Sequence, residues 1–298
     1  MDSVKWREHR LDVGDHEMAW YESGGGALVL FLNGCYDSLL YRPLADLFSH
    51  KYRCVLYDQR GSGNSVLRHL DEESLHIDRL VADIESFRTH LGPARVSIIG
   101  HSWGATLGLL YAGRFPHRVE RLALIGLGPF SDEMHAVYKA NVLRSMHAAD
   151  RSRWQEVNGA YQAAWRSGKG VPRVLDEANI RIWSPVMFYR LDHAEAFAAE
   201  YLRAGGYRRH APFPAGHVRG EELERAARIT ADVLVMYGYQ DYEPITQAYV
   251  LKEHMPHARI SFLNECGHMV WADQPGLSFR ALDAFLSATG CSLSESVR

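Results

Sequence analysis

The residues best suited to chemistry form a G-x-S-x-G motif at positions 100–104, centred on Ser102. The motif follows a short apolar run at 95–99 and precedes a helical pattern, so we expect it at a strand-to-helix turn. Small residues keep the strained backbone of such a turn free of clashes and leave the serine hydroxyl exposed. The amide of Trp103 would then lie at a helix N-terminus, where it can stabilise an oxyanion. We predict that Ser102 is a nucleophile and that Trp103 supplies one oxyanion donor.

A serine hydroxyl is a poor nucleophile by itself, so it needs a base, and the base needs an acid to orient it. Asp241 and His268 follow Ser102 in the order serine, acid, histidine, and each lies in a turn after a short apolar run. Because parallel strands end at one edge of a sheet, we expect the three side chains to meet there. Asp132, which follows the preceding apolar run, is the alternative acid.

The second oxyanion donor should come from the loop that follows the apolar run at 27–33. By its position, the backbone amide of Cys35 is the candidate. Gly34 would let the backbone approach the substrate closely, and Tyr36 is a further candidate for substrate contact. Cys35 itself has no base of comparable support, so we do not expect it to be the nucleophile.

Short apolar runs alternate with helical patterns up to about residue 127 and again from about residue 231. This alternation predicts an α/β fold, with a mostly parallel sheet that is flanked by helices. Between those segments the spacing is helical or irregular. We therefore predict a core formed by residues 1–127 and 231–298, with a helical cap at 128–230 inserted between the sixth and seventh core strands. Since 13 of the 15 basic residues in the cap are arginines, acidic substrates are worth testing.

The composition of the 298 residues is that of an ordinary globular protein, with 47% hydrophobic and 23% charged residues. The net charge of −3 gives no field that would gather nucleic acid or anionic lipid. No apolar run is long enough for a membrane helix, and residues 1–10 lack the apolar segment of a signal peptide. We expect a cytoplasmic protein without a cofactor. We also expect no metal, because Pro256 breaks the helical spacing of the tight pair His254 and His257. The oligomeric state stays open.

With these residues placed, the chain resembles the α/β-hydrolase superfamily over nearly all of its length, and within it the proline iminopeptidase family most. The likeness is carried by D-Q-R-G-S-G-N-S at 58–65 and G-H-S-W-G-A-T-L at 100–107, with weaker support from the Gly267-His268 turn and the long cap. The resemblance implies an α/β-hydrolase fold and an aminopeptidase acting on a small molecule or short peptide. We expect Arg60 and the glycines of the first motif to brace the loop after the fourth strand.

The sequence departs from that family at two places. The family has H-G-G-P-G where this chain has N-G-C-Y-D at 33–37, so one wall of the oxyanion region differs. The family also uses cap glutamates, one of them in a Trp-Glu pair, to hold the free amino terminus of the substrate. The comparable stretch begins at Trp183, and the pair would fall on Val186 and Met187. Glu200 lies near the position of a second glutamate. Trp183, Met187 and Glu200 are thus our candidate cap contacts.

Three hypotheses follow for the function. The first is a serine hydrolase that cleaves a carboxylic ester, thioester or amide. The second is an aminopeptidase like the proline iminopeptidases. The third is a small-ligand receptor on the same scaffold, in which hydrolysis is slow or lost. Epoxide hydrolases and haloalkane dehalogenases share the fold, but they need a carboxylate nucleophile, and position 102 is a serine.

Overall fold

An eight-stranded sheet forms the centre of the molecule, with strand order β1-β2-β4-β3-β5-β6-β7-β8. The computed structural model describes residues 5–34, 38–69, 71, 73–167, 171–204, 206 and 220–288. The first two strands pair antiparallel, β2 pairs antiparallel with β4, and the remaining neighbours are parallel. The strands are β1 (Arg7–Asp12), β2 (Glu17–Ser23), β3 (Leu28–Leu32), β4 (Arg53–Tyr57), β5 (Val96–His101), β6 (Val119–Ile125), β7 (Asp232–Gly238) and β8 (Arg259–Leu263).

Helices cover both faces of this sheet. The α-helices among the described residues are α1 (Arg42–Asp46), α2 (Ile77–Leu91), α3 (Trp103–Arg114), α4 (Asp132–Ser145), α5 (Ala148–Arg166), α6 (Arg173–Met187), α7 (Leu191–Arg203), α8 (Glu221–Ala226), α9 (Gln247–His254), α10 (Val270–Asp273) and α11 (Pro275–Ser287). None of the helices in this described part of the chain is both long and apolar enough to cross a membrane.

Two hydrophobic cores, one on each face, explain why the central strands are apolar throughout. Successive side chains of a strand point to opposite faces, so a strand covered on both sides has no polar alternation. In β3, Leu30 packs against the core formed with α2 and α3, whereas Val29 and Phe31 pack against the core that includes α1, α6 and α11. The predicted α/β fold, with its mostly parallel sheet flanked by helices, is confirmed.

The helices α4 to α7 lie between β6 and β7, where the helical insertion was expected. The last turn of α6 is buried, including Val186 and Met187, and it joins the core on that face of the sheet. A cap at residues 128–230 as a separate unit stays a prediction, and most of the segment between 205 and 219 lies outside the described residues.

A buried arginine braces the loop after β4. The Arg60 guanidinium is 3% exposed and forms two hydrogen bonds to the Asp83 carboxylate on α2, of 2.7 and 2.6 Å. It also donates to the carbonyl of Ser74 and to the Asp15 carboxylate, at 2.7 and 2.8 Å. A bidentate arginine–carboxylate pair has a fixed geometry, so this contact holds the loop on α2.

We predict that Asp83→Asn lowers the free energy of unfolding by about 3 kcal/mol, because it leaves a buried guanidinium with half of its charge compensation. Urea unfolding checks the value. Asp78→Asn is the matched control: this α2 carboxylate is half exposed and pairs with the similarly exposed Arg114, so we expect a change of about 0.5 kcal/mol or less. Equal losses in the two variants would contradict the bracing role of Asp83.

Candidate active site

Ser102 lies on a sharp turn between β5 and α3. Its φ angle is +55°, a value that a residue with a side chain rarely adopts. The turn is possible because of the neighbouring glycines: a Cβ on Gly104 would lie 2.0 Å from the carbonyl oxygen of Leu32, and one on Gly100 would lie 2.5 Å from that of Gly104. The Ser102 amide donates to the carbonyl of Ile125 at 2.8 Å, which ties the turn to the end of β6. The motif thus forms the strained turn that the sequence indicates.

His268 and Asp241 form a buried pair at the same edge of the sheet. The His268 Nδ1 atom lies 3.0 and 3.1 Å from the two carboxylate oxygens of Asp241. Both side chains are buried, with exposed fractions of 2% and 0%. A carboxylate only accepts, so Nδ1 carries the hydrogen and Nε2 is the basic nitrogen. Asp132, the alternative acid, is the exposed first residue of α4.

A chain of hydrogen bonds through His101 joins the loop after β3 to His268. The Gly34 amide donates to the Tyr41 hydroxyl at 2.8 Å, and that hydroxyl lies 3.0 Å from Nδ1 of His101. On the other side of the ring, Nε2 lies 3.0 Å from the carbonyl oxygen of His268. Because a carbonyl only accepts, Nε2 of His101 must donate, and Nδ1 accepts the Tyr41 hydrogen. Sequence reasoning missed this chain, although His101 stands inside the motif.

His101 is held in its neutral form. Burial lowers its pKa well below the ordinary value, and the nearby His268 lowers it further. The two imidazole rings lie 4.4 Å apart. A neutral His101 is consistent with the hydrogen bonds, since a protonated ring could not accept from the Tyr41 hydroxyl.

Of the two proposed oxyanion donors, Trp103 and Cys35, the structure describes only Trp103. Trp103 is the first residue of α3, so its amide is at the helix N-terminus. Cys35 and Tyr36 lie outside the described residues. The Gly34 backbone passes beside the nucleophile, because a Cβ added to Gly34 would lie 3.1 Å from Ser102 Cβ. The Gly34 amide already donates to Tyr41, so the contribution of Gly34 is the close approach of its backbone to Ser102. The donor role of Cys35 stays a prediction.

Of the three cap candidates, two lie near the histidine. Trp183 packs against Tyr242, with ring centroids 5.4 Å apart, and Tyr242 in turn lies 4.6 Å from the His268 ring. The carbonyl of Met187 accepts the His268 amide at 2.7 Å, so the contact of Met187 runs through its backbone. Glu200 has half of its side chain exposed and pairs with Arg203 on the same helix.

Two buried carboxyl groups were missed by the sequence reasoning. Asp273 accepts from the amides of Gly267 and Tyr189, at 2.9 and 2.7 Å, and contacts His193 at 3.0 Å. It therefore joins the turn that carries His268 to the corner between α6 and α7. No spacing in the sequence marks this residue, because its partners on the cap are some 80 positions away.

Glu243 is the second such group, two residues after Asp241. It is 5% exposed, and its buried Oε2 atom has no hydrogen-bond partner within the described part of the chain. Burial raises its pKa well above the ordinary value, and the charge of Asp241 adds to that rise. Burial and the charge of Asp241 thus both favour the protonated form of Glu243, which carries no second negative charge beside Asp241.

Comparison with known proteins agrees with this architecture. Residues 27–275 match a family model described as alpha/beta hydrolase fold. A proline iminopeptidase of Xanthomonas citri is 39% identical over 130 residues, which cover 41% of this chain and 40% of that protein. One of Neisseria gonorrhoeae is 39% identical over 115 residues, covering 38% and 37%. The chain thus spans about two fifths of the length of the curated relatives it matches.

Solved structures are similar over nearly the whole chain. They include E-2-(acetamidomethylene)succinate hydrolase, with a TM-score of 0.72, 20% identity, and coverage of 95% of this chain and 100% of that chain. Naproxen esterase of Bacillus subtilis has a TM-score of 0.69 and 16% identity, with coverage of 96% and 93%. The thioesterase domain from the curacin biosynthetic pathway has a TM-score of 0.68 and 19% identity, with coverage of 93% and 99%. At these identities the likeness concerns the fold.

We predict that Glu243→Gln changes the pH dependence of stability. A carboxyl group whose pKa is higher in the folded state than in the unfolded state binds its proton more tightly in the folded state. Its protonation therefore favours folding at low pH, and this contribution to stability is lost as the pH rises above about 4.5. Relative to the wild type, Glu243→Gln should therefore gain stability as the pH rises above about 4.5, by up to about 1.4 kcal/mol per pH unit, until Glu243 ionises in the folded wild type. Urea unfolding at each pH measures the difference. Glu253→Gln, a change at an exposed glutamate on α9, is the control. Parallel curves for wild type and Glu243→Gln would refute the prediction.

Proposed function

Because the chain belongs to the α/β-hydrolase fold family, we propose that it is a serine hydrolase that cleaves a carboxylic ester, thioester or amide through an acyl-enzyme. The observation that carries this proposal is the buried His268–Asp241 pair, which lies at the sheet edge where the strained turn presents Ser102. That combination would supply a base with a fixed tautomer at the same sheet edge as a nucleophile at a helix N-terminus.

In the proposed reaction, Ser102 Oγ attacks the substrate carbonyl carbon while His268 Nε2 takes the hydroxyl proton. The carbonyl oxygen becomes an oxyanion, which the Trp103 and Cys35 amides would bind. Asp241 stabilises the imidazolium, and this cation then gives its proton to the leaving group as the carbonyl–leaving-group bond breaks. A water molecule, deprotonated by His268, attacks the acyl-enzyme. The carboxylic acid leaves, and Ser102 regains its proton.

The surroundings of His268 favour an ester or thioester with an apolar group. Aromatic rings extend from the histidine into the cap: Tyr242 contacts Trp183 and Tyr138, with centroids 5.4 and 5.6 Å apart, and Trp183 stacks on Trp154 at 6.3 Å. Such rings offer large apolar surface and no charge. We therefore place the substrate among small molecules with an apolar acyl or alcohol group.

Aminopeptidase activity is the second candidate, and the relatives named proline iminopeptidase favour it. That reaction needs a group that compensates the ammonium of the substrate in a partly desolvated site. The cap position for a Trp-Glu pair holds Val186 and Met187 instead. Glu200 is already paired with Arg203, so it offers little support for holding an amine.

Initial rates on three matched substrates test the proposal: a short-chain aryl ester, a prolyl arylamide with a free amino terminus, and its N-acetylated form. We expect the ester to exceed both arylamides in kcat/KM by at least about a hundredfold, which corresponds to a difference of about 2.7 kcal/mol in activation free energy. A hundredfold preference for the free-amine arylamide would instead establish the aminopeptidase. Binding without turnover of any substrate would favour the receptor.

We predict that Ser102→Ala lowers kcat by about 10⁴-fold or more on whichever substrate is cleaved, because the residual rate comes from binding and the oxyanion donors alone. Labelling by a fluorophosphonate probe provides a second measurement that does not depend on the choice of substrate. Ser145→Ala, a change at an exposed serine near the end of α4, is the control and should label and turn over like the wild type. Ordinary turnover by folded Ser102→Ala would exclude Ser102 as the nucleophile.

A further inference from the structure

The side-chain amide of Gln59 links the backbone just after β3 to the indole side chain of Trp103, the residue after Ser102. Gln59 follows β4 and is 1% exposed. Its Nε2 atom donates to the carbonyl of Asn33 at 2.6 Å, and its Oε1 atom accepts from the indole Nε1 of Trp103 at 3.2 Å. Asn33 is the residue after β3, and Trp103 begins α3, so one side chain spans the gap between these elements.

The chemistry of the two partners fixes the orientation of the amide. A backbone carbonyl can only accept a hydrogen bond, and an indole N–H can only donate one. A bridge between them therefore needs a side chain that carries a donor and an acceptor side by side. Glutamine meets this need, whereas ionised glutamate lacks the donor and methionine offers only a weak acceptor.

Asp58, which precedes Gln59 in the D-Q-R-G motif, holds the far end of the loop after β3. The Asp58 carboxylate accepts from the amide and hydroxyl of Ser38, at 3.1 and 2.6 Å, and from the amide of Asn64 at 2.8 Å. Asn33 and Ser38 lie on opposite sides of residues 34–37. Two adjacent side chains of the D-Q-R-G motif thus fix the backbone before and after this loop, and Arg60 anchors the motif itself on α2.

We propose that Gln59 is a positioning residue that sets the distance between the Asn33–Gly34 backbone and the start of α3, and thereby the placement of the Trp103 oxyanion donor beside Ser102. This inference rests on the proposed serine-hydrolase function. An oxyanion donor acts at about 2.7–3.1 Å from the developing charge, so a small widening weakens it strongly. The carboxylate and alcohol products carry no tetrahedral oxyanion, so their binding depends less on this distance.

The test compares Gln59→Met with Gln247→Met on the cleaved ester. Gln247 is a matched control, because it is also fully buried and its amide donates to the Leu127 carbonyl and the Tyr237 hydroxyl. We expect Gln59→Met to lower kcat/KM by about 10- to 100-fold, within the range for lost oxyanion stabilisation, with KM within about twofold. Gln247→Met should lose thermal stability and keep kcat/KM within about twofold of the wild type.

Inhibition by a transition-state analogue is a measurement that a purely structural role of Gln59 would leave unchanged. A phenylboronic acid forms a tetrahedral adduct with an active serine, so its Ki should rise by the same factor as kcat/KM falls. The Ki of the carboxylate product should stay within about twofold. A folded Gln59→Met with unchanged kcat/KM and boronate affinity would overturn the inference, as would a raised KM with unchanged kcat.

A second variant covers the case in which Gln59→Met does not fold. Trp103→Phe keeps the backbone amide and an aromatic ring at this position, and it removes the indole donor to Gln59. We expect it to lower kcat/KM and boronate affinity together, by about 3- to 10-fold, within the effect of one lost hydrogen bond. Unchanged values in this variant would overturn the inference. If the wild type neither turns over an ester nor binds the boronate through Ser102, the proposed function fails instead, which is a distinct result.

Discussion

The structure depends on how closely the start of α3 passes the end of β3. The Cα of Gly104 lies so near the carbonyl of Leu32 that a Cβ would overlap it, at 2.0 Å. This approach puts the Ser102 turn against Gly34, and it brings the Trp103 indole within reach of Gln59. A larger residue at position 104 would push α3 outward, and the contacts on both sides of the nucleophile would separate together. The positions of the Ser102 turn, the loop after β3 and the D-Q-R-G motif therefore depend on one another.

His268 is held by the end of α6 as well as by the loop after β7. The His268 amide donates to Met187, the last residue of α6, and Asp273 holds both Gly267 and the Tyr189 amide. A shift of the end of α6 would break the bond that orients the His268 backbone. If the predicted cap opens while His268 stays in place, the corner between α6 and α7 must therefore stay fixed. The movement would then involve other parts of the predicted cap.

Much of the fold could be predicted from the sequence, because strands covered on both faces are marked by local apolar runs. The runs at 27–33 and 53–57 became β3 and β4, and the interval of helical spacing contains α4 to α7. The G-x-S-x-G turn is local too. The side chains that hold the site were missed because their partners are distant in sequence: Tyr41 contacts His101 across 60 positions, and the Gln59 contacts span 26 and 44. Such pairings depend on how the elements pack, which residue spacing does not encode.

The distribution of charge around His268 follows from burial. A charged group in this interior loses its hydration, and only a matching partner offsets that loss. Asp241 has such a partner in His268, whereas the Oε2 atom of Glu243 has none among the described residues, and burial raises the pKa of Glu243. His101, whose ring centroid lies 4.4 Å from that of His268, is neutral because burial lowers its pKa, and the nearby His268 lowers this pKa further. Neutral His101 therefore adds no positive charge beside His268, while the Asp241 carboxylate accepts from the Nδ1 of His268; this is the arrangement that a general base at His268 would need in order to accept a proton inside a buried site.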